Sequence, residues 1–115
     1  MSYTLAFWSG ADSAECADVY IRLNSGEHVD GVASVDPAAV LRSLDALEGW
    51  SRHENMVYPP GGTADARPAF DTFIDTQFVV FTGYHVQAHD INVVIDVMRE
   101  HGCRLYDPQT LERFA

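Results

Sequence analysis

There is no lysine in this chain of 115 residues. All seven basic residues are arginine, against 17 acidic residues, for a formal net charge of -10. A domain that binds nucleic acid directly needs a basic footprint, and this one has none. The same charge repels anionic membranes and attracts basic partners. Two other readings of the composition stand beside that one. Arginine-only basicity with much alanine fits a GC-rich genome, and abundant aspartate without lysine fits a salt-loving host. Cysteine is scarce too. Cys16 and Cys103 lie far apart, with no CxxC or Cys/His spacing for zinc. No apolar run nears the roughly 18 residues that span a bilayer. The opening MSYTLAFWSGADSAE has no basic region and no apolar run of signal length. A cytoplasmic protein with reduced thiols is therefore expected.

The chain does have enough apolar side chains for a core, at 47% of residues. A chain of this length buries roughly two-thirds of its unfolded surface. With no repeat and no linker, residues 1–115 are expected to form a single α+β domain. Ser2 to Trp8 reads as a strand that is apolar on both faces. Asp12 followed by Glu15 has capping-box spacing, and Cys16, Val19, Tyr20 and Leu23 form a helical stripe. Asp36-Pro37 opens a second helix with Val40, Leu41, Leu44 and Leu47 on its buried side. Trp50 to Tyr58 alternates weakly as a strand. Residues 59–68, PPGGTADARP, hold no regular structure. Ala69–Asp75 and Gln77–Tyr84 form the best strand pair, joined by a tight turn. His89 or Asp90 opens a third helix, with Ile91, Val94, Ile95 and Met98 inward and Gly102 after its end. Cys103 to Tyr106 is a short last strand. The order β-α-α-β-β-β-α-β predicts a mixed or antiparallel sheet with helices on one face, ferredoxin-like with an extra helix.

No residue set satisfies the demands of catalysis. His85 and His89 stand four apart, but they flank a strand-to-helix junction, and with Asp90 they still lack a third convergent ligand. Both cysteines fall at packing positions, where thiolate chemistry finds little positive surrounding. Gly61-Gly62-Thr63 lacks the lysine of a phosphate loop. No catalytic residue, metal site or cofactor is expected. Surface features carry more. Asp71, Phe73 and Asp75 alternate along one strand and point the same way, as acids around an aromatic anchor. Asp12, Glu15 and Asp18 make an acidic helix face, which also suits the positive end of a helix dipole. Trp50 and Tyr58 border the flexible loop as further anchors.

Two stretches carry a resemblance. The opening MSYTLAFW resembles the MSYxLxFW start of a group of small bacterial proteins. The close VIDVMREHGCRLYDPQT resembles their helix-GCxLYDPQ ending. These proteins are similar in size and acidity to immunity proteins of polymorphic toxin systems. The resemblance implies a non-catalytic inhibitor that occludes the active cleft of a cognate toxin with a basic surface. It supplies no catalytic motif. A homodimer is compatible with it. The alternative is a small-ligand-binding or regulatory module of ferredoxin-like type.

Overall fold

The computed structural model describes residues 2–63 and 65–114. Ten elements follow in order. They are β1 (Ser2–Trp8), α1 (Cys16–Asn24), α2 (Pro37–Asp45), β2 (Ser51–His53), β3 (Met56–Tyr58), β4 (Ala69–Ile74), β5 (Val79–Tyr84), α3 (Ala88–Glu100), β6 (Arg104–Asp107) and β7 (Glu112–Arg113). The strands form one sheet in the order β2-β3-β4-β5-β1-β6-β7. Every neighbouring pair is antiparallel.

β1 lies inside the sheet because both of its faces are apolar. Leu5 and Phe7 join one core with Phe70, Val79 and Phe81 of the sheet, Val40 and Leu44 of α2, and Val94, Val97 and Met98 of α3. Ala6 and Trp8 join a second core with Phe78, Tyr106, and Val19 and Leu23 of α1. The sheet is therefore covered from both sides, and the expectation of helices on one face is wrong. Its physical reason was present in β1: a strand apolar in both parities needs a layer on each side.

Two further corrections concern ends and splits. Asp12 does not cap α1. Glu15 does, accepting from Ala17 N at 3.5 Å, so the helix starts after the expected box. The Trp50–Tyr58 stretch is two strands, because Glu54 takes a left-handed φ of 54° and folds them into a hairpin. The α2 start holds as read: Asp36 Oδ1 accepts from Ala38 N and Ala39 N, and Pro37 sits in the first turn.

Two side chains act as backbone substitutes. Gln77 is 7% exposed. Its amide accepts from Val29 N at 2.9 Å and donates to Val29 O at 2.8 Å and Val32 O at 3.1 Å. The α1–α2 connection is thereby fastened to the β4–β5 turn. Gln109 does the same beside β1, accepting from Thr4 N and donating to Thr4 O, each at 2.9 Å. Asp107 lies between them, buried, and accepts from the Tyr3 hydroxyl, Gln109 N and Gln109 Nε2. The Asp-Pro-Gln close of the sequence is thus a lock between the last strands and the first. Among the described residues, no helix is long and apolar enough to cross a membrane.

Candidate functional site

The two sides of the sheet are covered unequally. α1 and the segment after it lie over Ala6, Trp8, Phe78 and Tyr106. Farther along the same side, towards β3, no helix lies over the sheet among the described residues. Asp71 pairs with Met56 on β3 and with Thr82 on β5, and Thr82 pairs with Thr4 on β1. One residue row away, Phe73 pairs with Val80. The ring of Phe73 is 56% exposed, and Tyr84 at the far end of β5 is 41% exposed. Phe73 and Tyr84 thus leave apolar surface in water on this side of the sheet.

The expected interface residues divide on this geometry. Asp71, Phe73 and Asp75 do share the open side. Asp71 Oδ1 accepts from Asn55 Nδ2 at 2.8 Å, and Asp75 Oδ1 accepts from Thr76 N at 2.7 Å. Both carboxylates are half-buried. Asp18 is exposed on α1, on the same side of the sheet. Glu15 is spent in part on the helix cap. Asp12 is paired with the Arg104 guanidinium. Trp50 lies away from this face: its ring, partly buried, stacks on Phe70 at 6.2 Å and 5° against the core on the other side of the sheet. Tyr58 is half-covered by the Arg67 guanidinium, 4.0 Å from the ring centre. Sequence periodicity does not distinguish an aromatic that closes a core from one that faces a partner.

A pit missed in the sequence adjoins this face. It encloses about 110 Å³ between the end of α1 and the β4–β5 turn, with Glu27, His28, Asp75, Gln77 and Phe78 among its walls. Phe73 touches it through Phe78, edge to face at 5.7 Å. Glu27 and Asp75 are far apart in the chain, and the Gln77 clasp, with the Val35 N to Thr76 O hydrogen bond of 2.6 Å, brings their segments together. A buried glutamine next to an apolar strand was the one signal that could have found it.

The opposite end of the sheet carries a larger hollow. About 620 Å³ lies between the 60–68 loop and the junction before α3, lined by Pro60, Gly62, Pro68, His85, Gln87 and His89. Both histidines reach the same hollow, and His85 holds a left-handed φ of 57°. Asp90, 7% exposed, is committed to capping α3: its Oδ2 accepts from Gln87 N at 3.1 Å. Among the described residues, no three His, Cys, Asp or Glu side chains gather as a metal site requires. Cys103 is buried, and burial pushes its thiol up, against a smaller pull from Arg113. Cys16 is half-buried, with Sγ 3.9 Å from Leu111 O.

No protein-family model matches the chain, and no curated protein or solved structure does either.

Proposed function

We propose that this domain is a stoichiometric protein inhibitor of the immunity-protein kind, which neutralises a cognate bacterial toxin by covering its basic, substrate-binding cleft. The observation that carries the reading is the half-open sheet side. An exposed Phe73 stands between two carboxylates, on a molecule of net charge -10. A field of that sign steers a basic partner to the surface, and the desolvated aromatic then holds it. The resemblance at both ends of the sequence points to the same class.

The test is co-expression with any toxin domain found encoded beside it. Restored growth and a one-to-one complex support the reading. Toxicity unchanged by the inhibitor refutes it. Asp71→Lys or Asp75→Lys slows association with the toxin.

A second reading has one observation in its favour. The hollow beside His85 and His89, about 620 Å³, falls in the range of small-molecule sites. The antiparallel order β4-β5-β1-β6 at the heart of the sheet supports a ferredoxin-like core for such a ligand-binding module. A selective, saturable thermal shift from a metabolite panel, lost in His85→Ala, would favour it over inhibition.

A further inference from the structure

We propose that the bare lane of the sheet beside α1 receives one amphipathic helix of a basic protein partner, seated on Phe73 and Tyr84 and held by Asp71. The proposal rests on the protein-binding reading and names the kind of element that surface takes.

The strand registers draw the lane. On this side of the sheet Tyr84 stands in a row with Ala69 and Ser2, and Thr82 in the next row with Asp71 and Thr4. Phe73 follows Asp71 along β4, and Met56 lies across from Asp71 on β3. The floor is therefore made of small side chains, Ala69, Thr82 and Thr4, between the exposed rings of Phe73 and Tyr84. α1 covers Ala6, Trp8 and Phe78, and so stands as a wall at one side.

Width and backbone choose the occupant. From β3 to β1 there are three strand spacings, about 14 Å in all. A helix with its side chains is about 10 Å across, so the lane takes one. β3, β4 and β5 already have a hydrogen-bonded strand on each side, so this face offers a partner side chains rather than a backbone edge. An element buried there must pair its own backbone groups, which a helix does and an extended peptide does not. The opposite side of the same sheet shows such a layer completed, with α2 and α3 both packed on it.

Charge fixes the sign of the partner. Asp71 stands in the lane between the two rings, its Oδ1 held by Asn55 Nδ2 at 2.8 Å. Arg67 sits at the rim with its guanidinium laid over Tyr58, 4.0 Å from the ring centre. A helix with arginine or lysine beside its apolar stripe meets Asp71 from above, and is drawn in by the net charge of -10. A second copy of this chain carries that same charge and is the poorer occupant.

The probe is a hydrocarbon-stapled helical peptide of about 14 residues, roughly 20 Å long and so the length of β4. It has leucine at i, i+3, i+4 and i+7 and arginine on both flanks. It is titrated into the ¹⁵N-labelled full chain beside two controls: the same peptide with glutamate for arginine, and an unstapled form broken by prolines. Saturable shifts at Met56, Asp71, Phe73, Thr82 and Tyr84 are expected, with α2 and α3 silent. The proline form binds about tenfold more weakly or worse, since it must order on binding, and the glutamate form gives no saturation. Asp71→Asn and Phe73→Ser each weaken binding about fivefold or more. If Phe73→Ser unfolds the chain, Thr82→Arg, which adds bulk and positive charge to the floor, blocks the peptide instead. Shifts on the α2 and α3 side or scattered over every acidic segment, equal binding of either control, no saturable response to the arginine peptide, or a self-dimer that buries Phe73 would each overturn the proposal. The two readings fail separately. A Thr82→Arg chain that neutralises the toxin as well as the wild type removes the lane and leaves the inhibitor standing. Helix binding as described, with no toxin neutralised, removes the inhibitor and leaves the lane.

Discussion

At the residue scale, the most consequential group is the buried carboxylate of Asp107. Burial alone would raise its pKa, but hydrogen bonds from Tyr3 and from the side chain and backbone of Gln109 outweigh that and hold it below its ordinary 3.8. A depressed folded pKa stabilises the fold above the unfolded value, and the contribution drains away as pH falls below about 4. Urea midpoints should therefore drop between pH 5 and pH 3 in the wild type, and much less in Asp107→Asn. At neutral pH, Tyr3→Phe should cost about 1–3 kcal/mol, because it removes a donor from a buried charge. The Asp-Pro-Gln motif was plain in the sequence as a strand terminator. Its partner was not, since Tyr3 lies 104 positions away and no local pattern encodes that pairing. Trp50 teaches the converse. Its position beside a loop suggested an anchor, yet it stacks on Phe70. Trp50→Ala should lower stability by about 2 kcal/mol, less than a fully buried aromatic would cost, and leave the binding of the folded fraction intact. Calorimetry beside a binding titration separates the two effects.

At the element scale, periodicity revealed what packs. Most of the helix stripes and the apolar run of β5 emerged as read, because burial imposes a 3.6 or 2 repeat on side chains, but α2 ends at Asp45, before Leu47, and Val97 joins the buried face of α3. What stayed hidden was arrangement. The β2–β3 hairpin depends on one left-handed residue, Glu54. The two-residue β7 is shorter than any periodic signal. At the Gly10–Gly31 crossing before α1, a Cβ on Gly10 would stand 2.3 Å from Gly31 O. Gly10→Ala should therefore unfold or rearrange that crossing, read as a red shift of tryptophan emission as the buried Trp8 meets water. The Gln77 clasp makes a milder test. Gln77→Ala leaves the buried backbone groups of Val29 and Val32 without their amide, at about 1–3 kcal/mol. Hydrogen exchange should then speed up across 27–33 before it does elsewhere. Of the candidate surface, the β4 trio was legible from alternation alone. The pit was not, since its two walls are joined only in three dimensions.

At the scale of the whole molecule, the proposed inhibition makes net charge the determinant of association kinetics. A net charge of -10 should give association rates that fall by about an order of magnitude or more between roughly 0.05 and 0.5 M salt, with dissociation almost unaffected. Stopped-flow mixing with the partner measures both, and a salt-independent on-rate would remove steering from the account. The same charge opposes the approach of a second copy of the chain, but one stretch of backbone needs separate protection. β6 runs beside only Ala6, Phe7 and Trp8 of β1, so the earlier half of that strand has no neighbour on that flank. The amide of Gln109 occupies Thr4 there, a single side chain standing in for an absent strand. With it removed, as in Gln109→Ala, the bared rung becomes a template for any extended peptide, and fibrillar growth in high salt, where repulsion no longer guards the molecule, is the fate this one residue averts.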